Sequence, residues 1–354
     1  MLIKLENKIC KLTIIIDKFI LIFMSILITG AGGTVGIELI RSFAKKKTPP
    51  KIIAIDRCEH ALMRLLALQK NIEYDFEIKY VDLCKSESGI LENLNNVETV
   101  IHCAAMKSVQ IGYLFPEELA TQNILAFANL KQVAIKSGVK KVLLCSTDKA
   151  ASPTSVMGSS KLLLERICSV SSNEVTKFAS IRFGNILNSS GSVIPTMLNS
   201  VKEKGKIYIT DKDMTRYILT KDDFLELVFF ALENMKGGEV FIPVCKSMNI
   251  LDLSSVVKEI ASKIFGISEN DIEIVFGNNK YNESIHEKMA SDYEYDNVYR
   301  INDRFFKIDQ NAAQNEISNF KCSKQDLLYL SSSGNEILEK NELKEILLKN
   351  MNLL

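Results

Sequence analysis

Residues 25–36 read S-I-L-I-T-G-A-G-G-T-V-G, a short apolar run followed at once by glycines, with Gly30, Gly33 and Gly36 at three-residue intervals. The run lacks the polar alternation of a half-exposed strand and suits one buried on both faces of a parallel sheet. Glycine permits the tight turn that follows and lets backbone N–H groups approach a pyrophosphate at the positive end of the helix opening near Thr34. A glycine triplet alone is a weak signal. Between a strand and a helix, at the start of a β-α-β unit, it marks Gly30, Gly33, Thr34, Val35 and Gly36 as candidate dinucleotide contacts.

Working outward, the same rhythm repeats. Short runs rich in Ile, Val and Leu at 25–29, 51–56, 77–82, 99–104, 142–146 and 178–183 read as strands, and helical stretches such as 35–46, 118–137 and 157–171 lie between them. Such alternation predicts an α/β fold with a doubly wound parallel sheet, the Rossmann arrangement. Beyond about Pro195 the pattern changes to mixed helices and isolated strands, including 239–243 and a late helix at 341–348. We therefore expect a dinucleotide-binding domain over 24–195 and, over 196–354, a smaller substrate-binding lobe interleaved with it. The second strand ends in Asp56, whose carboxylate suits an adenosine ribose and repels a 2′-phosphate; Arg57 beside it suits that phosphate instead. NAD is the expected cofactor and NADP the alternative, with Asp82 and Leu83 flanking the adenine and Ala104 and Ala105 completing the set.

Bulk properties narrow the partner. The 354 residues are 47% hydrophobic and 25% charged, enough for a large core, and 44 Lys plus Arg against 43 Asp plus Glu leave a net charge of +1. No overall field favours nucleic acid or an acidic membrane. The eight cysteines include no C-x-x-C pair, and His60, His102 and His286 have no metal-ligand spacing. Reduced cytoplasmic usage without a metal is the expectation. Within the extension at 1–23, Leu12 to Phe23 is apolar except for Thr13 and the pair Asp17 and Lys18, which argues against a membrane span, and no small-residue cleavage site precedes the first strand near Met24; an added strand or helix, or a start at Met24, is the expectation.

The fifth strand runs into S-T-D-K-A, and M-G-S-S-K follows at 157–161. Strand carboxyl ends line the ligand crevice of an open α/β sheet, so Thr147, Asp148 and Lys149 should project there. Met157 and Lys161, four apart, share a helix face. A threonine, a residue one turn before a lysine and that lysine reproduce the short-chain dehydrogenase layout, with methionine where a tyrosine usually takes the hydroxyl proton.

These segments, with H-C-A-A-M-K, R-F-G-N, G-S-V-I-P, M-T-R-Y and G-G-E-V-F-I-P, resemble the UDP-N-acetylglucosamine 4,6-dehydratases of bacterial surface-glycan synthesis, the CapD-like polysaccharide biosynthesis group, from Met24 to the C-terminus. Members of that group carry tyrosine or methionine at the position of Met157. The resemblance implies hydride transfer from sugar C4 to NAD and back to C6, with Lys149 as base at C5, Asp148 as acid at the C6 hydroxyl, Thr147 on the C4 oxygen and Lys161 on the nicotinamide ribose. It assigns Lys107, Asn185, Ser192, Val193, Arg216 and Glu283 to the UDP-sugar. The chain departs from the group at Ser108 to Gln110, at 188–193, which loses an arginine, and at 280–284. Those changes fall on the substrate side and leave the sugar and nucleotide open. Methionine occurs with both stereochemical outcomes at C5, so retention and inversion also stay open. A nucleotide-sugar 4-epimerase, a dehydrogenase and a non-catalytic NAD-binding regulator are the competing readings, and a homo-oligomer is expected from the fold.

Overall fold

The computed structural model describes residues 25–351 except Ser86, Ser190, Asn279, Lys280, 310–321 and Asn335. The extension at 1–23 and Met24 lie outside the described residues, as do Ser190 and Lys280 of the divergent segments. The chain divides into two compact units.

The first unit comprises 1–105, 125–143 and 173–177. Strands β1 (Ser25–Thr29), β2 (Lys51–Asp56), β3 (Glu77–Tyr80) and β4 (Thr99–His102) run parallel in the order β4-β1-β2-β3. All five β1 residues are buried, which is why that segment carries no polar alternation. β3, outermost among the described strands, departs from the expectation of strands covered on both faces: its residues are half-buried or exposed, and Glu77 pairs with Lys51 and Lys79 at 2.6 and 3.1 Å. Charged side chains suit an edge that must not recruit another strand. Helix α1 (Thr34–Ala44) buries Gly36, Leu39, Ile40 and Phe43, an i, i+3, i+4, i+7 stripe, and α2 (Glu59–Asn71) buries Ala61, Leu65 and Leu68.

Strand β5 (Lys141–Cys145) crosses the boundary: Leu144 and Cys145 belong to the second unit, which comprises 106–124, 144–172 and 178–354. There Ser180 and Ile181 of β6 (Lys177–Ile181), a strand whose first residue belongs to the first unit, pair in parallel with β10 (Val240–Pro243), and β14 (Phe305–Ile308) and β13 (Val298–Arg300) continue antiparallel. Two small sheets complete it: β7 (Asn185–Ile186), β9 (Thr215–Leu219) and β11 (Ser247–Asn249), and the parallel pair β8 (Lys206–Ile209) with β12 (Glu273–Phe276). Its helices include α3 (Val109–Leu114), α5 (Val156–Ser171), α6 (Val193–Lys204) and α8 (Ile250–Phe265); α4 (Ala126–Lys136) belongs to the first unit and α7 (Lys221–Asn234) and α9 (Lys340–Asn350) to the second. Apolar faces of α6, α8 and α9 meet in one core that includes Met197, Val201, Leu253, Val257, Leu343 and Leu347.

The helix expected over 118–137 is interrupted. A short helix, Pro116–Ala120, runs into a π-helical turn, Thr121–Leu125, before α4. Asn123 in that turn is fully buried; its amide donates to Met106 O at 3.2 Å and Ser160 Oγ at 3.0 Å and accepts from Met106 N at 2.8 Å. The wider turn carries this buried side chain between the Met106 backbone and Ser160.

Arg182 is completely buried and forks between Glu165 of α5 (2.6 Å) and Glu294 (3.0 Å), with a further bond to Met289 O at 2.7 Å. Paired charge-assisted bonds of this kind fix α5 against the 289–294 segment. Among the described residues no helix is long and apolar enough to cross a membrane, and no cluster of three or more His, Cys, Asp or Glu suits a metal ion.

Candidate active site

In the first unit the glycine-rich turn has the shape its sequence predicts. Gly30 has φ +61°, and a Cβ there would lie 2.6 Å from Ala104 Cα. A Cβ on Gly36 would lie 2.4 Å from Ala31 O, and one on Gly32 would lie 2.3 Å from Ala61 O. Gly32 therefore belongs with the essential glycines, although the three-residue spacing passes over it; Gly33, by contrast, meets only Gly30 O at 3.1 Å. Gly33 caps α1 without a side-chain bond, and the first turn holds no acidic residue, so its N–H groups and positive end suit an anion. Asp56 Oδ2 accepts from Gly32 N at 3.2 Å, while Oδ1 accepts from Arg57 N and Cys58 N at 2.8 and 3.0 Å. Arg57 Nη1 lies 3.5 Å from Asp82 Oδ2. Asp82 Oδ1 accepts from Cys84 N at 3.0 Å, the helix-cap type of bond. Leu83 is buried, Ala104 and Ala105 are half-buried, and Thr34 and Val35 open α1 half-buried. These residues fit the pyrophosphate and ribose of a dinucleotide.

In the second unit the chain leaves β5 under backbone control. Ser146 N donates to Ile181 O at 2.8 Å and Asp148 N to Phe183 O at 3.1 Å, so two more rungs follow the strand and fix the residue after Thr147. Thr147 is extended (φ −155°, ψ 156°) and caps a single 3-10 turn, Asp148–Ala150. Asp148 is 2% exposed. Its Oδ1 accepts from Thr147 Oγ1 (2.8 Å), Lys149 N (2.9 Å) and Lys149 Nζ (3.1 Å), whereas the buried Oδ2 has no hydrogen-bond partner among the described residues. The aspartate thus lies beneath the lysine instead of projecting beside it, and a solvated ion pair at a turn is ruled out.

Helix α5 stands close to this turn because of one residue. A Cβ on Gly158 would lie 2.5 Å from Lys149 O, so glycine after Met157 lets the helix touch the dyad's backbone. Met157 and Lys161 are both buried, as their shared face requires. Lys161 Nζ donates to Cys145 O at 2.9 Å, and Ser160 Oγ joins Met157 O at 2.7 Å to the Asn123 network.

Lys149 opens onto a cavity of about 200 Å³ lined, among others, by Asn185, Val193, Arg216, Glu283 and Glu287. Five residues singled out from sequence, Lys149, Asn185, Val193, Arg216 and Glu283, therefore meet at one place. Ser192 is the N-cap of α6, its hydroxyl buried without a hydrogen-bond partner among the described residues, and Lys107 is exposed outside the lining. Asn185 Oδ1 is likewise a buried acceptor with no hydrogen bond among the described residues.

The residue sequence reasoning missed is Glu287. It is 4% exposed and lies 3.0 Å from Lys149 Nζ and 3.6 Å from Arg216 Nε. Arg216 is buried as well, its Nη1 donating to Thr215 O at 2.8 Å and Ile285 O at 3.1 Å. The signal was the second glutamate of N-E-S-I-H-E, four residues after Glu283. Burial pulls the Lys149 ammonium down, but Asp148 and Glu287 outweigh that and hold its pKa above the ordinary lysine value. Burial pushes the Glu287 carboxyl up, against the opposing pull of Lys149 and Arg216.

Fold and site together define a mostly parallel, doubly wound α/β protein whose cavity-facing lysine is paired to a buried aspartate. The family described as "Polysaccharide biosynthesis protein" matches residues 26–309, and the chain belongs to that family. It is 32% identical over 332 residues to the "Uncharacterized membrane protein MJ1061" of Methanocaldococcus jannaschii, covering 91% of this chain and 95% of that protein. It is 30% identical over 338 residues to a "UDP-N-acetylglucosamine 4,6-dehydratase (inverting)" of Campylobacter jejuni, covering 91% and 97%. Among solved structures, Pen from Bacillus thuringiensis superposes with a TM-score of 0.82 at 28% identity, over 92% of this chain and 97% of that one.

Proposed function

We propose that the protein is an NAD-dependent nucleotide-sugar 4,6-dehydratase whose substrate is UDP-N-acetylglucosamine. The observation that carries this reading is the Lys149–Asp148 contact of 3.1 Å, a base and an acid joined by one hydrogen bond at the wall of a polar cavity. The Campylobacter jejuni relative, similar over nearly its whole length, supports the reaction and the sugar.

The turn at Gly30, Gly32 and Gly36 with Asp56 would hold NAD, and Lys161 would hold its ribose; when bound it supplies a hydride acceptor for sugar C4 and a donor for C6. Thr147 Oγ1, already hydrogen-bonded to Asp148, positions the C4 oxygen. With a carbonyl at C4 the neighbouring C5 proton is acidic, and Lys149 Nζ removes it. Asp148 passes a proton to the C6 hydroxyl, the C6–O bond breaks, and water leaves.

Oxidation at C4 releases the hydroxyl proton and abstraction at C5 a second; loss of the C6 hydroxyl as water takes one, and C5 takes the other back when hydride reaches C6. The count closes within the site, so each turnover leaves Lys149 and Asp148 as they began, and their 3.1 Å contact keeps base and acid within reach of the same sugar carbons. Met157 cannot exchange a proton, which disfavours a 4-epimerase or simple dehydrogenase.

Incubation with UDP-N-acetylglucosamine and NAD tests the proposal by mass spectrometry. A product lighter by one water is expected. An isomer of unchanged mass points to epimerisation, and unchanged substrate ends the dehydratase reading.

A further inference from the structure

Within the proposed dehydratase reading, one charged group in the site has no role so far. Glu287 is held rigidly: its N–H donates to Ser332 Oγ at 2.8 Å, its carbonyl accepts from Ser332 N at 2.9 Å, and Ser332 Oγ in turn contacts Thr215 Oγ1 at 2.7 Å. The fixed backbone leaves the carboxylate 3.0 Å from Lys149 Nζ on one side and 3.6 Å from the Arg216 guanidinium on the other. Lys149 therefore lies between two buried carboxylates, only one of which, Asp148, is bonded to the threonine expected at the C4 oxygen.

That asymmetry matters at the moment of proton abstraction. When Lys149 takes the C5 proton, Asp148 still carries the proton destined for the C6 hydroxyl and is neutral. The ammonium then forms in a buried site with no counter-ion on the Asp148 side. We propose that Glu287 is the positioning residue that supplies this counter-ion, raising the basicity of Lys149 and stabilising the charge that develops on it while Asp148 remains an acid. Burial pushes the Glu287 carboxyl up, Lys149 and then Arg216 oppose that rise, and the 3.6 Å Arg216 contact aims the carboxylate.

The groups facing Lys149 and Glu287 from surrounding elements are Asp148 on the same turn, Arg216 on β9 and Glu283 in the cavity lining. The Tyr217 phenol and Cys245 thiol lie on the Asp148 side, both held protonated by burial. Asp148 and Glu287 are the charges that oppose burial of the ammonium, and Glu287 is the one that can be neutralised without removing the acid.

Glu287→Gln gives a signature with two linked parts. Losing the carboxylate makes Lys149 a weaker base that sheds its proton at lower pH. The rising limb of the pH–kcat profile should therefore move at least one unit to lower pH, while the plateau falls tenfold or more. Glu287→Asp, which keeps the charge but draws it back by one methylene from the 3.0 Å contact, should move the limb the same way by a smaller amount. A lysine titration by carbon NMR of protein labelled at Cε, with the Lys149 signal assigned by its loss in Lys149→Arg, reads the same shift without turnover. A midpoint at least one unit lower in Glu287→Gln is expected. An unmoved Lys149 midpoint, or a limb that stays put while only the plateau falls, overturns the proposal. Should the wild type not dehydrate UDP-N-acetylglucosamine, the functional reading fails, yet the titration still decides whether Glu287 sets the lysine. If Glu287→Gln does not fold, the Glu287→Asp titration decides: lengthening the 3.0 Å contact by one methylene must lower the midpoint measurably, and an unchanged value counts against the proposal.

Discussion

Replacing Asp148 by asparagine separates the two halves of the proposed chemistry. The amide oxygen can still accept the bonds that Thr147 Oγ1, Lys149 N and Lys149 Nζ make to Oδ1 at 2.8, 2.9 and 3.1 Å, so the turn keeps its shape. The amide nitrogen takes the place of Oδ2, which is buried without a hydrogen-bond partner among the described residues. An unsatisfied buried donor costs about 1–3 kcal/mol of stability. Lys149 keeps Glu287 at 3.0 Å, so no buried cation is stranded and the larger cost of a broken ion pair is avoided. Catalysis should suffer more than folding. A lost general acid costs about 10²–10⁴ in rate, which at 1.36 kcal/mol per decade is roughly 3–5 kcal/mol of barrier. Two measurements in deuterated water distinguish the steps: loss of water by mass spectrometry, and deuterium at C5 of recovered sugar by proton NMR. Asp148→Asn should lose water-forming turnover while C5 exchange persists, because Lys149 is retained. Dehydration within about tenfold of wild type would refute the assignment of Asp148 as the acid.

Lys149→Met should abolish both readouts, leaving no C5 deuterium above background, and persistent exchange would mean that another base serves C5. Gly30→Ala forces a side chain into φ +61° and places its Cβ 2.6 Å from Ala104 Cα; a loss of about 1–3 kcal/mol in denaturant unfolding and weakened NAD binding by fluorescence titration are expected. Arg182→Met strands Glu165 and Glu294 and should cost about 3–5 kcal/mol in urea denaturation at about pH 7. Burial pushes the Glu294 carboxyl up, but Arg182 and the Ser291 bonds pull it further down, so its net pKa lies below the ordinary glutamate value. Its contribution is thus present above that ordinary value and is lost as pH falls through the depressed one. Without Arg182 the sign reverses, and the penalty of the variant should be smaller at about pH 4 than at about pH 7.

Much of the first unit was legible in the chain because its signals are local. The apolar run at 25–29, the turn glycines and the helix stripe Gly36, Leu39, Ile40, Phe43 depend on neighbours within a few residues, and the structure places the strand and helix where that reading puts them. The dyad was legible for a similar reason: adjacent residues at a strand end stay together in any fold. Edge placement of β3 was not, since only the sheet's order decides which strand lacks a neighbour among the described residues. Nor was the π turn at 121–125, where the partners of Asn123, Met106 and Ser160, are 17 and 37 residues away.

By itself the sequence determined an α/β chain with a glycine turn, an acid beside a base and no phenol at the position of Met157. The tertiary structure alone decided which charge completes the site. Glu287 reaches Lys149 across 138 positions only because Ser332 and Thr215 anchor its backbone, and burial then turns that contact from a screened surface pair into a strong determinant of the lysine's charge. Periodicity and spacing carry no information about groups so far apart in the chain, whereas the Coulomb energy between them depends only on distance and dielectric surroundings.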